Sequence, residues 1–132
     1  MCDYMNLFDW GSFYDVGVCL KNISNRQEYQ RSAVGRFYYA AFGLVKNYYE
    51  KTHHKKVPSN NGHSFLIGNL KKSNFKEEVD LGINLEKLRE YRNQADYRNN
   101  FYLFNVRRAE KKYQTIIGIL YELEENPLYL KY

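Results

Sequence analysis

The chain has 132 residues, a net charge of +5 at pH 7 and a mean hydropathy of −0.71. A chain of this length is expected to form one domain that buries roughly two-thirds of the surface its unfolded form exposes. The N-terminus lacks the charged, apolar and small-residue pattern of a leader, and no run of about 18 apolar residues could cross a bilayer. We therefore expect a single soluble, cytoplasmic domain over residues 1–132, with no membrane partner.

Charge and cysteine content narrow the function classes further. The chain carries 20 basic and 15 acidic residues, which favours a polyanionic partner such as nucleic acid without forming a basic tail. Cys2 and Cys19 show no metal-ligand spacing and are too few for a disulfide framework, so we expect two reduced thiols. Fourteen tyrosines supply bulk for the core and rings on which a base can stack.

Apolar residues recur at three- and four-residue steps over most of the chain, which is typical of α-helices. The first predicted helix covers about residues 6–22 and includes Trp10. The second covers about residues 26–52 and is expected to be central. Its Ala40, Ala41 and Gly43 are small enough to let another helix approach closely.

The second half of the chain is predicted to contain a loop and further helices. Residues 53–62 have no periodicity and form the longest predicted loop, followed by a short helix at about 63–72. Residues 75–82 are ambiguous, because Gly82 and Asn84 interrupt the pattern.

Two more helices complete the predicted fold. Asn84 is a candidate N-cap for a helix over about residues 85–98, and a clear apolar stripe predicts the last helix at about 104–124. No stretch alternates with period two for long enough to make a sheet. The predicted fold is therefore all-α, an up-and-down bundle of four main helices plus a short helix.

The stretch LREYRNQADYR at residues 88–98 concentrates charged and aromatic side chains on one predicted helix. Arg92 lies beside the apolar stripe, where an unpaired charge is costly, so we expect it to have a dedicated partner or a ligand. Asp96 is four residues away and is a neighbour on a helix. An intrahelical Arg92–Asp96 pair and a ligand site are both consistent with this spacing.

The central helix carries a second polar face next to its apolar stripe. Arg36 lies three residues from Tyr39, so two arginine-bearing helices could line one groove. Alternatively, Arg36 pairs with Asp96 or with a backbone carbonyl and fixes the helix register.

Three blocks together resemble the HEPN domain (higher eukaryotes and prokaryotes nucleotide-binding). They are Arg31-x4-Arg36-x2-Tyr39-Ala40-Ala41-Phe42, then Gly62-His63-Ser64, then Leu88-x3-Arg92-Asn93-x-Ala95-Asp96-Tyr97, in an order and spacing that cover about residues 5–125. The resemblance implies a helical bundle that forms a homodimer with a shared cleft. It also implies a place in a toxin–antitoxin or defence system, with a minimal nucleotidyltransferase as partner.

Nuclease members of the HEPN family carry an Arg-x4–6-His motif, of which Arg92 matches the opening. The histidine is absent, because Tyr97, Arg98 and Asn99 stand where it should fall. Tyrosine and aspartate are poor general bases at neutral pH, and losing a positioned base typically lowers a rate by about 10²–10⁴-fold. The sequence instead resembles the branch with Arg-Asn-x-Ala-Asp-Tyr, which implies nucleotide or RNA binding without a cofactor.

The expected ligand-binding residues are those that match the resemblance or lie beside it: Arg36, Tyr39, Arg92, Asn93, Asp96 and Tyr97. Two alternatives stay open. One is a metal-independent ribonuclease toxin that uses Arg92 with Asp96 or Tyr97. The other is a structural partner of a nucleotidyltransferase that binds no ligand.

The remaining polar clusters are interpreted as structural or solvated residues before ligand sites. His53 and His54 are adjacent, point about 100° apart on a helix and have no third ligand in reach, so a solvated basic loop is preferred over a metal site. His63 begins the short helix and is interpreted as a structural residue before a cleft residue. The basic pairs and clusters are expected to be solvated faces, which in a dimer could extend a track for RNA phosphates: Lys71-Lys72 and Arg107-Arg108-x2-Lys111-Lys112.

Overall fold

The structure is a computed structural model that describes residues 8–128. Over this range the chain is a helical bundle without strands. Its five helices are α1 Ser12–Ile23, α2 Gln27–His53, α3 Gly62–Lys71, α4 Lys76–Tyr97 and α5 Phe104–Glu125. The predicted all-α class, with four longer helices and one short helix, is confirmed. None of the helices in the described range has the length and apolarity needed to span a membrane.

Helix α2 lies at the centre of the bundle and contacts each of the other four helices. Its inward stripe consists of small and aromatic residues, among which Ala33, Phe37 and Ala40 are fully buried. Leu85 and Leu88 of α4 and Ile116 of α5 are also fully buried in the same core. Burial of these side chains supplies the main driving force that holds α4 and α5 against α2.

The first helix begins later than the periodicity indicates. It starts at Ser12, so Trp10 lies in the turn before it, and residues 6 and 7 lie outside the described range. The indole of Trp10 packs directly on Gly43 of α2, where a Cβ atom would overlap the ring. The small residue at 43 therefore accommodates an aromatic ring of the preceding turn. Cys19 of α1 is exposed with a free thiol, whereas Cys2 lies outside the described residues.

Helix α4 starts at Lys76, so the predicted start near Leu85 is wrong. Gly82 does not interrupt the helix; a Cβ atom there would lie 2.9 Å from Cβ of Leu70, so the glycine permits close packing of α3. Asn84 is not an N-cap but an interior residue. Its amide donates to the carbonyl of Asp80 at 2.8 Å and its oxygen accepts from Lys112 of α5 at 3.1 Å. Tertiary contacts thus explain why Gly82 and Asn84, whose residue types are typical of helix ends and turns, lie inside α4.

A buried carboxylate joins α2 to α4. Glu78 is 1% exposed, and its oxygens accept from Tyr48 Oη at 2.6 Å and from Ser73 Oγ at 2.6 Å. His53 Nε2 lies 2.7 Å from the same carboxylate. His53 is the last residue of α2 and not part of a solvated loop as expected, whereas His54 is exposed.

Arg31 of α2 holds the C-terminal end of α4. Its guanidinium donates to the carbonyl oxygens of Ala95 at 3.2 Å, Arg98 at 2.6 Å and Asn99 at 2.9 Å. The last carbonyls of a helix have no partner within the helix, and a cation there also interacts favourably with the helix dipole. Phe101, which follows, is buried and lies under the same guanidinium. The end of α4 is therefore fixed by α2.

Candidate functional site

Arg92 lies on α4 and faces α2. Its side chain is only 15% exposed. Its Nε donates to Asp96 Oδ2 at 2.9 Å, one terminal nitrogen donates to Tyr39 Oη at 2.8 Å, and the other donates to Asn93 Oδ1 at 3.3 Å. The four-residue spacing predicts the Arg92–Asp96 pair, and the structure contains it. The bond to Tyr39 joins the two helices on which the predicted site residues lie.

Three tyrosine rings surround the Arg92 guanidinium. Its central carbon lies 5.2 Å from the ring centre of Tyr39, 5.7 Å from that of Tyr97 and 5.9 Å from that of Tyr38. At these distances the negative face of an aromatic ring attracts a cation. Tyr97 is 73% exposed, so its ring covers the guanidinium from the solvent side. A flat exposed ring beside an arginine can stack with a base while the arginine contacts a phosphate.

His63 is brought into this cluster from the start of α3. Its Nδ1 shares a hydrogen bond of 2.5 Å with the hydroxyl of Tyr38, and its ring stacks on Phe42 with centres 4.2 Å apart. Burial lowers the pKa of His63, and the charges of Arg89 and Arg92 lower it further. The imidazole is therefore neutral near pH 7. His63 lies in the site and not merely at a helix cap.

Burial raises the pKa of Tyr38 well above its usual range, although the charges of Arg89 and Arg92 oppose the shift. Its hydroxyl therefore remains protonated at neutral pH. Tyr38 thus links His63 to Arg92, because its hydroxyl shares the hydrogen bond with His63 and its ring lies beside the Arg92 guanidinium. These contacts bring His63, Tyr38 and Arg92 into one cluster.

Arg89 is the second cation on this face of α4. It lies three residues before Arg92 and so projects from the same side of the helix. Its Nε is buried and has no hydrogen-bond partner among residues 8–128. A buried unpaired donor on a cation is costly unless a ligand or water completes it.

A concavity of about 390 Å³ opens between α3 and α4 next to Arg89. This volume lies within the range of small-molecule sites, roughly 300–1,000 Å³. Its lining consists of Ser64, Ile67, Gly68, Lys71, Lys72, Glu86 and Arg89. The three basic residues outnumber the single acidic one, Glu86, which is paired with Lys71 at 2.8 Å. The concavity is therefore suited to an anionic group.

Arg36 does not pair with Asp96 or with a backbone carbonyl, as one alternative expected. Within the described part of the chain it makes no hydrogen bond or ion pair. Its guanidinium instead lies 4.9 Å from the ring centre of Phe13 and 6.0 Å from that of Tyr39. Arg36 therefore reaches the edge of the cluster through Tyr39 and keeps its donors available.

No family model, curated protein or solved structure matches the chain.

The structure brings most of the predicted residues together. Arg92, Asn93 and Asp96 are mutually bonded or adjacent, Tyr39 bonds to Arg92, and Tyr97 covers it, as described above. Sequence reasoning missed the roles of Tyr38 and Arg89 and assigned His63 to structure. The i, i+3 spacing of Arg89 and Arg92 could have revealed Arg89, whereas the approach of His63 depends on how α3 packs.

The side chains of this cluster are of the types that bind phosphate groups and stack on nucleobases. Two arginines, a neutral imidazole and phenol hydroxyls can donate to phosphate oxygens, and Tyr97 offers a ring face. Residues 8–128 contain no group of three or more His, Cys, Asp or Glu placed to hold a metal ion.

Proposed function

We propose that the chain is a HEPN-like nucleotide- or RNA-binding protein whose ligand occupies the cleft around Arg92. The observation that carries this proposal is the largely buried Arg92 guanidinium, surrounded by three tyrosine rings and accompanied by Arg89 with its unpaired buried Nε. Arginine binds phosphate with charge-assisted hydrogen bonds, and exposed tyrosine stacks on bases. The excess of basic residues over the whole chain favours the same ligand class.

The test compares Arg92→Ala with Arg26→Ala. Arg26 is a surface arginine paired with Glu28, with 73% of its side chain exposed, so the two variants change net charge equally. The probes are AMP, ATP and a 12-nucleotide single-stranded RNA. Their binding is measured by isothermal titration calorimetry and by the shift in melting temperature. Hydrogen bonds to a charged group contribute about 1.5–3 kcal/mol, so Arg92→Ala should weaken binding roughly 10- to 150-fold. Equal affinities of the two variants, or a wild-type protein that binds no probe, would reject the proposal and favour a structural partner without a ligand.

A second candidate function is metal-independent RNA cleavage, and one observation favours it. His63, a neutral imidazole near pH 7, shares a hydrogen bond with Tyr38, whose ring centre lies 5.9 Å from the Arg92 guanidinium. A ribonuclease without a metal needs such a proton-transfer group in addition to a cation that stabilises the phosphorane. Asp96, by contrast, is occupied by Arg92.

Cleavage and binding are separated by incubating the protein with labelled RNA in EDTA. Cleavage that persists with EDTA and disappears in both Arg92→Ala and His63→Ala assigns the activity to this site. Cleavage that survives in Arg92→Ala indicates a contaminating nuclease. RNA that is bound intact leaves the binding function as the conclusion.

The proposal includes a cytoplasmic homodimer with a shared cleft that works beside a minimal nucleotidyltransferase in a toxin–antitoxin or defence setting. The dimer is tested by light scattering at micromolar concentration, where a monomer would contradict the shared cleft. A short nucleotidyltransferase encoded by the adjacent gene would support the setting. Mass spectrometry after co-expression with it tests whether Tyr97 receives a nucleotide.

A further inference from the structure

The connection between α4 and α5 carries an exposed aromatic pair that the Arg92 cluster does not include. Tyr102 is 63% exposed and Phe104 is 54% exposed. Their rings stack on each other with centres 5.4 Å apart and planes 23° apart. The guanidinium of Arg108, one turn further along α5, lies 4.4 Å from the ring centre of Phe104. Large aromatic side chains left in solvent in this arrangement are available to a partner.

The surroundings of this pair are basic. Residues 97–109 contain three arginines and no acidic residue, namely Arg98, Arg107 and Arg108, all of them exposed. A concavity of about 290 Å³ lies beside Arg108 on α5 and is lined by Tyr91, Arg108, Lys111, Lys112 and Thr115. Its lining thus contains three cations and no carboxylate. The nearest acidic residue of α5, Glu110, is occupied by Lys21 at 2.5 Å and by Tyr14 at 2.8 Å.

We infer that the aromatic pair Tyr102–Phe104, with Arg108, is a base-stacking platform for single-stranded RNA, and that the adjacent basic concavity holds its phosphates. This inference rests on the proposed function, because it extends the same ligand beyond the Arg92 cleft. Aromatic rings flanked by arginines are the usual means by which proteins hold single strands without reading their sequence. Exposed rings beside the uncompensated charge of Lys111 and Lys112 fit such a strand better than they fit a protein partner, because lysine is depleted at protein–protein interfaces.

The distance between Tyr97 in the Arg92 cluster and Tyr102 in the platform is short enough for one RNA strand to contact both. Tyr102 follows Tyr97 by five positions, so their Cα atoms are at most about 18 Å apart. A stacked strand advances about 3.4 Å per nucleotide, so at most about five nucleotides would cover this distance. A mononucleotide has a single base, so it can stack on only one of the two surfaces. An oligonucleotide can contact both, which predicts an affinity that rises with length.

The experiment measures fluorescence anisotropy with a labelled 12-nucleotide single-stranded RNA of mixed sequence, and calorimetry with AMP. Variants Tyr102→Ala and Phe104→Ala are compared with Tyr121→Ala, which removes a ring that is 65% exposed elsewhere on α5. Each platform variant should weaken RNA binding roughly 5- to 100-fold and leave AMP binding unchanged. Phe104→Trp should retain the affinity, since its ring still stacks. Arg108→Gln should reduce the slope of log affinity against log salt by about 1.

Several results would overturn the inference. The inference is rejected if both platform variants bind RNA as tightly as Tyr121→Ala does. It is also rejected if the wild type binds a 12-base-pair duplex as tightly as the single strand, because bases in a duplex cannot stack on protein rings. Loss of self-association in Phe104→Ala with unchanged RNA binding would assign the surface to a protein interface.

The same data separate this inference from the proposed function. If Arg92→Ala weakens binding and Phe104→Ala does not, the cleft stands and the platform falls. If Phe104→Ala weakens RNA binding and Arg92→Ala changes neither RNA nor AMP binding, the platform stands and the cleft falls. If the wild type binds AMP but no RNA, only the platform is rejected. If it binds neither, both the platform and the proposed function are rejected.

Discussion

Arg92 and Tyr39 form the contact that links α4 to α2 inside the site, with a nitrogen of the guanidinium 2.8 Å from the phenol oxygen. The same guanidinium donates to Asp96 through Nε. One arginine thus satisfies a neutral acceptor on another helix and a charged acceptor on its own. A phosphate that enters the site meets a cation that already donates to three acceptors, so new bonds compete with the existing ones.

Replacing Tyr39 by Phe removes only the hydroxyl that accepts from Arg92. The loss of a hydrogen bond to a charged group should lower the free energy of unfolding by about 1.5–3 kcal/mol. Tyr97→Phe is the matched control, because that exposed tyrosine contacts Arg92 with its ring and should change stability by less than about 0.5 kcal/mol. Urea denaturation measures both variants. Equal stabilities would show that water satisfies the Arg92 donor once the Tyr39 hydroxyl is removed.

Replacing Asp96 by Asn removes the negative charge that competes with a phosphate for Arg92. Two unit charges about 4 Å apart in water interact by about 1 kcal/mol, so the affinity for AMP should rise about fivefold. Asp80→Asn is the control, since that aspartate pairs with Lys76 at the other end of α4. Calorimetry with AMP at low salt gives both values. A weaker affinity in Asp96→Asn would instead assign Asp96 a direct bond to the ligand, as its inclusion among the binding residues anticipated.

Gly43→Ala should destabilise the contact between the N-terminal turn and α2, because the added methyl group overlaps the Trp10 indole. Overpacking of this kind costs about 1–3 kcal/mol. Gly35→Ala lies on the same helix with no atom within 4 Å of the new Cβ, so it should stabilise the helix by up to about 1 kcal/mol. Thermal unfolding followed by circular dichroism distinguishes the two signs. Destabilisation of similar size in both variants would attribute the effect to helix geometry and not to Trp10.

The lowered pKa of His63 makes stability depend on pH in a defined direction. Burial and the charges of Arg89 and Arg92 hold the folded-state pKa below the ordinary value of 6.5, so the unfolded chain binds the proton more readily. The contribution is therefore fully present above pH 6.5 and is lost as pH falls through the folded-state pKa. His63→Asn should flatten the rise in unfolding free energy between about pH 5 and 7.

His54→Asn is the control for this profile, because His54 is exposed in the loop after α2. Its profile provides the reference for a histidine removed outside the Arg92 cluster. Urea midpoints at half-unit pH steps provide the curves. A His63→Asn profile parallel to that of the wild type would show that His63 does not titrate differently in the two states.

Glu78→Ala should be among the most destabilising single substitutions in the chain. It removes a buried carboxylate and leaves the hydroxyls of Tyr48 and Ser73 and the ring of His53 without their acceptor. Removing one member of such a buried cluster costs about 3–5 kcal/mol. Glu86→Ala, which breaks an exposed pair with Lys71, should cost less than about 1 kcal/mol. A cost below 1 kcal/mol for Glu78→Ala would mean that water replaces the carboxylate.

The order and number of helices could be predicted because the apolar stripes of α2 and α5 follow a regular helical period. The start of α4 could not, since Gly82 and Asn84 are unfavourable locally and are explained only by the close approach of α3 and a bond from α5. Tertiary packing overrides propensity at both positions.

The candidate site also contains one contact that could be predicted from the sequence and others that could not. The pair Arg92–Asp96 follows from helix spacing alone. The bond from Arg92 to Tyr39 and the arrival of His63 depend on how three helices pack, and no local pattern encodes that. The Arg31 cap is likewise a contact across 64 to 68 positions of sequence.

The hold of Arg31 on three carbonyls at the end of α4 also determines the direction in which the chain leaves that helix. The segment that follows carries Phe101 inward and presents Tyr102 to solvent. An arginine of α2 therefore helps to set the distance between Arg92 and the Tyr102–Phe104 pair. Arg31→Ala removes all three bonds, so we expect it to change that distance, and with it the length of RNA that the proposed platform requires.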